Sequence, residues 1–242
     1  MSTVAKPYVT LEPTGGPWLT SPPASPLIGR TAVLGLTTEP SEIPTNAQGV
    51  CTALYLPSDQ SYAGQQPDGF AVDGQDTWYH ATLALPYDYQ PTAGDWNWLV
   101  EWHLDDHTYQ HTEFSIALGV STALPAPAGS VGVDPALVLR LAGGDSASPT
   151  YQNATAPGPF KQLYDLTFHF VWSASPARGL VEWFVDGQQV LSQPFPTLFT
   201  NPDASKSYNT FGLYNYHLDS SWASTVRFFD VAVGPSRASV TP

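Results

Sequence analysis

Short runs rich in β-branched and aromatic residues recur along most of the chain, separated by clusters of Gly, Pro, Asp and Ser. They read GVCTALYL, DTWYHATLAL, WNWLVEWHL, EFSIALGV, ALVLRLA, YDLTFHFVW, GLVEWFVDGQQVL, YNTFGLYNY and STVRFFDVAV. No window of comparable strength carries helical periodicity, so the pattern predicts an all-β sandwich or barrel. Side chains on a strand alternate between its two faces. In YDLTFHFVW that rule puts Leu166, Phe168, Phe170 and Trp172 on one side, which we take as core, and Thr167 and His169 on the other. In WNWLVEWHL it puts Trp96, Trp98, Val100 and Trp102 opposite Asn97, Leu99, Glu101 and His103. Asp186-Gly187 separates two strand-like halves and fits a tight hairpin whose two central residues take positive φ.

At 242 residues one domain is the default for an all-β chain. Residues 1–28 form a Pro-punctuated extended arm, a first strand-like run occupies Thr31 to Thr38, the domain spans 29–235, and 236–242 is a tail. An arm of this kind needs a docking surface, on its own domain or on a neighbour in an assembly. The stretch from Ala142 to Pro159 reads as a long surface loop, and its Asn153-Ala154-Thr155 triplet matters only in a secreted protein. Eight Lys plus Arg against 21 Asp plus Glu leave a net charge of −13, which repels nucleic acid and anionic membranes. The single cysteine, Cys51, has no partner for an internal disulfide and fits a buried structural thiol. No apolar run has the length of a membrane span or a signal-peptide core, so the expectation is a chain made in the cytosol.

Three of the six histidines, His103, His107 and His111, are spaced by four. On a helix that spacing would gather them around a metal ion. The flanking strand patterns instead make a hairpin of this segment, with His107 and His111 in its loop, which dissolves the alignment. What remains is Glu101 two residues from His103, a carboxylate and an imidazole projecting from the same sheet surface and suited to proton transfer or to hydrogen bonding sugar hydroxyls. An ordinary polar outer face is the alternative.

The order of these segments from Asp76 to Gly234, and above all the pattern W-S-x-x-P-x-x-G-x-V-E-x-W/F-x-D-G at Trp172–Gly187, resembles the heparinase-type and glucuronan-type polysaccharide lyases. The resemblance implies a concanavalin-like β-jelly-roll sandwich, here with an extended N-terminal arm. It also implies site residues. The Gln-x-His strand of such lyases falls on Glu101-Trp102-His103, and the Tyr-x-Lys-x-Gly-x-Tyr strand falls on Tyr208 to Tyr214, with Thr210 in place of lysine. Their Arg-rich strand falls on GVCTALYL, which has no basic residue. A lyase would therefore use His103, Tyr208 and Tyr214 as its catalytic groups. β-Elimination requires the uronate carboxylate to be neutralised, and a negative Glu101 a few ångströms away would cost on the order of 1 to 4 kcal/mol.

These departures favour a non-catalytic jelly-roll module that binds a glycan or a protein surface, plausible in a virion-like assembly as a decoration or tail-appendage component. A polysaccharide lyase is the alternative. Glu101, Tyr216, His217 and Trp222 are the candidate ligand-binding residues, their rings suited to stacking on sugars. The resemblance further places a structural calcium near the last strand, where Asp230 stands.

Overall fold

The computed structural model describes residues 9–12, 33–38, 50–56, 73–86, 89, 96–104, 116–121, 135–145, 147–200, 209–217 and 224–241. Its strands are β1 (Val9–Glu12), β2 (Val33–Thr38), β3 (Val50–Leu56), β4 (Asp76–Ala84), β5 (Trp96–Leu104), β6 (Ile116–Ser121) and β7 (Ala136–Asp145). They continue with β8 (Ser148–Thr155), β9 (Leu163–Val171), β10 (Leu180–Val185), β11 (Gln188–Pro194), β12 (Phe199–Thr200), β13 (Asn209–His217) and β14 (Ser224–Gly234), and one helical turn, α1 (Arg237–Val240), follows. Sheet I runs β1-β2-β14-β4-β9-β10-β11, and sheet II runs β12-β7-β6-β5-β13-β3 with β8 added against β7. The β12–β7 pairing is parallel. The result is the expected β-sandwich.

The two sheets bury one aromatic core. Leu166, Phe168, Phe170 and Trp172 are all buried, as their alternation requires. From the opposite sheet the Trp102 ring meets Phe168 at 4.9 Å, Phe170 at 4.8 Å and Tyr79 at 5.3 Å, each edge to face. Such pairs add to the area they bury. The β10–β11 turn is the tight hairpin its sequence predicts, with φ of 51° at Asp186 and 75° at Gly187. Asp186 also accepts a hydrogen bond from the Asp165 N–H and an ion pair from Lys161, fastening the turn to β9.

Strict alternation fails in β5. The register against β6 slips between Trp98 and Val100, so Leu99 is an extra residue. Leu99, Val100 and Trp102 all join the core, whereas Trp98 does not. Trp98 instead covers Gly119 on the outer side, where an added Cβ would lie 2.9 Å from Trp98 Cε3 and 2.6 Å from the Asn97 carbonyl oxygen. A bulge therefore splits the expected Trp stripe between two faces.

One further expectation is corrected. Ala142–Pro159 is not a loop: β7 continues to Asp145, and β8 returns along it from Asp145↔Ser148 to Val138↔Thr155. Its strand signal is weak because its inward positions hold Ala154 and Gln152, and the latter exchanges amide hydrogen bonds with Gln193 of β11 at 3.1 and 2.6 Å. Within the 236–242 segment a helical turn buries Val240 and lays the Arg237 guanidinium 4.3 Å above Phe184. Within the N-terminal arm, Val9–Glu12 pairs antiparallel with β2 as the edge of sheet I.

Candidate functional site

The outer face of sheet II carries the predicted site strands side by side. Cross-strand register aligns Gly212, Glu101, Ala117, Arg140 and Asn153 in one row over β13, β5, β6, β7 and β8. Glu101, Ala117 and Arg140 each sit between two core residues of their strand, so their side chains leave on the outer side. His103 lies opposite Thr210, the position where the lyase pattern has lysine. Tyr214 falls where β13 slips against β5, Tyr216 pairs with Trp98, and His217 pairs with Asn97. The backbone thus brings Glu101, His103, Tyr214, Tyr216 and His217 onto two neighbouring strands. Tyr208, Trp222, His107 and His111 lie outside the described residues.

Burial decides what Glu101 can do. The residue is 1% exposed, and desolvation pushes its carboxyl well above the usual carboxylate range, favouring the neutral acid. The penalty expected from a negative Glu101 therefore shrinks. The burial also shows that the centre of this face is covered, because Ala117 and Val138, its outer-face neighbours, are buried too. Exposure returns at the β7–β8 flank. There Tyr151 is 54% exposed, Asn153 is exposed, and the Arg140 guanidinium lies 5.6 Å from the Tyr151 ring centroid.

Asp230 stands apart, on β14 in sheet I. The register of β14 against β4 slips between Phe229 and Ala232, and Asp230 takes a φ of 47° in that slip. Aspartate tolerates this conformation better than most residues, which gives the position a backbone reason. Among the described residues no group of three or more His, Cys, Asp or Glu is placed to hold a metal ion. Nor is any described helix long and apolar enough to cross a membrane.

Sheet I carries a polar network that sequence patterns did not reveal. His169 Nδ1 lies 2.7 Å from Glu182 Oε2 and its Nε2 lies 2.8 Å from Asp76 Oδ1, while Trp78 stacks on the imidazole at 4.1 Å. Gln189 Nε2 and Ser192 Oγ donate to the other Glu182 oxygen at 3.0 and 3.1 Å. Alternation had placed His169 on this face, but its partners come from β4 and β10, which only the pairing reveals. Burial raises the Glu182 pKa, but the His169, Ser192 and Gln189 hydrogen bonds and the His169 charge outweigh it and leave the pKa lowered. A lowered folded pKa gives stability that is present above the unfolded carboxylate value and lost as pH falls through the folded one. Glu182→Gln should cost about 1–3 kcal/mol near neutrality and less in acid. Urea unfolding of both proteins at each pH checks this, and a pH-independent difference would contradict it.

No family model matches the sequence, and no curated protein does. Among solved structures, the exolytic alginate lyase AlyA5 from Zobellia galactanivorans superposes with a TM-score of 0.53 at 10% identity, over 96% of this chain and 89% of that one. The alginate lyase from Alteromonas sp. 272 gives 0.48 at 14% identity, over 94% and 93% of the two chains. The cellulose-induced protein Cip1 gives 0.49 at 12% identity, over 94% and 85%. The chain has a jelly-roll fold of the polysaccharide-lyase type. At these identities the likeness establishes the fold alone.

Proposed function

We propose that the protein is a non-catalytic carbohydrate-binding jelly roll whose glycan lies on the outer face of sheet II. The observation that carries this reading is the contrast along one cross-strand row: Glu101 is buried, while Asn153 is exposed beside the Arg140–Tyr151 stack. Aromatic and planar polar groups on a rigid sheet suit sugar rings and hydroxyls. A buried acid at the centre suits proton transfer to a bound polymer poorly. Tyr216, paired with the outward Trp98, remains a proposed contact on β13, and His217 and Trp222 remain proposed ligand-binding residues. The fold shared with AlyA5, an alginate lyase, agrees with a glycan partner.

Lyase chemistry is the second reading, favoured by one observation. A Glu101 held toward its neutral form no longer repels a uronate carboxylate, so His103, Tyr208 and Tyr214 keep a route to β-elimination. The finer kinship with heparinase-type and glucuronan-type lyases belongs to this reading and stands on the Trp172–Gly187 pattern. An assembly role stood on an arm in search of a surface. Pairing of Val9–Glu12 with β2 weighs against it by giving part of the arm a place on its own sheet.

A panel of neutral and uronate-containing polysaccharides separates these readings. The binding reading expects retention on at least one immobilised glycan without any ultraviolet-absorbing unsaturated product, with or without calcium. An unsaturated product would replace it with the lyase reading, and no retention on any glycan would remove it.

A further inference from the structure

Sheet II ends in β8, which pairs with β7 alone and, among the described residues, leaves its other side bare. The Ala156 N–H donates to the Leu137 carbonyl at 2.9 Å, one step beyond the Val138↔Thr155 pair. In an antiparallel ladder, pairs that exchange hydrogen bonds alternate with pairs that do not. Ser148, Thr150, Gln152 and Ala154 therefore bond to β7, while Tyr151, Asn153 and Thr155 turn their N–H and C=O groups to the open side. The next outward positions are Pro149 and Pro157, which have no N–H to present, so prolines bracket the bare segment at both ends. Charge is missing as well. Residues 146–160 hold no Asp, Glu, Lys or Arg in a chain of net charge −13, and neither does β11, the neighbouring edge of sheet I. Charged side chains and bulges commonly blunt an edge. β8 has neither and keeps one register along β7 over its eight residues, whereas β11 is bulged at Val190.

We propose that this edge is an interface for a second copy of the chain, the two β8 strands pairing antiparallel across a two-fold axis at Asn153. The run PTYQNATAP, from Pro149 to Pro157, is self-complementary in that register. Asn153 exchanges two hydrogen bonds with Asn153 of the partner subunit, and Tyr151 does the same with Thr155 of the partner subunit. Pro149 then meets Pro157 of the partner subunit, and neither ring is asked to donate. Sliding the strands by two residues sets Pro149 against Thr155 or Pro157 against Tyr151, where an outward carbonyl would lack its donor. The central register is therefore selected. It also creates the Tyr–Thr contact twice, an aromatic and β-branched cross-strand pair of the favourable kind. The amide pair between Gln152 and Gln193 fastens β8 to sheet I and presents it as a fixed template. A two-fold pairing uses each edge once, so assembly stops at the dimer. Side chains on a strand stand perpendicular to the sheet, so Tyr151 and Asn153 stay on the outer face, which becomes continuous over two copies. The interface is made by the β8 backbone and is independent of the glycan reading above.

Sedimentation equilibrium of the whole protein across the micromolar range tests the interface. The expected result is a reversible monomer–dimer equilibrium with no larger species. Asn153→Pro removes an N–H that β7 does not use, so the fold should survive, as read by circular dichroism, while the dissociation constant rises about tenfold or more. Asn153→Asp sets two carboxylates against each other on the axis and should weaken the dimer in a way that added salt relieves. Under mild oxidation Asn153→Cys should give a covalent dimer whose peptide map joins position 153 to itself, and Gln189→Cys on β11 should not. The last two substitutions at Asn153 decide the question if Asn153→Pro fails to fold. A protein that is monomeric throughout the range, that grows into open oligomers, or whose dimer survives Asn153→Pro in a folded chain overturns the proposal. None of these results touches the glycan reading, which the polysaccharide panel tests separately.

Discussion

Trp102→Ala should cost about 3–5 kcal/mol of unfolding free energy, the range found when a buried Trp or Phe is truncated. The ring is fully buried and packs edge to face with Tyr79, Phe168 and Phe170 across the sandwich. Its removal takes away the transferred area and leaves a cavity between two sheets whose backbones are held apart by their own ladders. The sheets cannot close over the gap. Trp98→Ala is the internal control, since Trp98 lies on the outer side over Gly119 and outside the core cluster, and its loss should cost less. Urea unfolding followed by far-ultraviolet circular dichroism measures both. A Trp102→Ala protein within about 0.5 kcal/mol of wild type, the scale of surface changes, would contradict the assigned faces of β5.

Glu101→Gln should stabilise the protein near and above neutral pH while changing little in acid. The Glu101 carboxyl is raised in the folded state by burial. A raised group contributes its full stability below the unfolded pKa of about 4.3 and loses that contribution as pH climbs through the folded pKa. Between those two points the wild type should lose up to about 1.4 kcal/mol per pH unit from this single proton. Glutamine keeps the shape and the hydrogen-bonding capacity without a proton to release, so its stability curve should be flatter. Urea midpoints taken from about pH 4 to about pH 8 give the comparison. Parallel curves would show that Glu101 ionises in the folded protein at its ordinary pH, and the repulsion argued from the sequence would then return.

Period-two patterns carried much of the architecture. Leu166, Phe168, Phe170 and Trp172 alternate without interruption and are all core, and Asp186-Gly187 is among the few residue pairs that its positive-φ turn accepts with ease. The site was less legible for physical reasons that differ by residue. The bulge at Leu99 leaves no mark in WNWLVEWHL, because either face of that run could be aromatic. The strand SPTYQNAT hides because a hairpin at a sheet's flank needs little apolar surface, and its anchor to the other sheet is an amide pair rather than a hydrophobic one. The burial of Glu101 depends on what covers its face, which alternation does not encode. The joining of Asp76, His169 and Glu182 depends on the lateral order β4-β9-β10, in which the β4 to β9 neighbour relation skips four intervening strands.

The pairing of β2 with β14 couples Thr38 near one end of the chain to Ser224 near the other. During synthesis β2 emerges from the ribosome long before its partner exists, and sheet I stays incomplete until β14 has been made. Pairings this distant in sequence are formed slowly, because the whole intervening loop must be closed first. The nascent chain must therefore carry the apolar run VLGLTT with one edge bare until β14 emerges, a state in which chaperones and neighbouring chains compete with β14 for the same ladder.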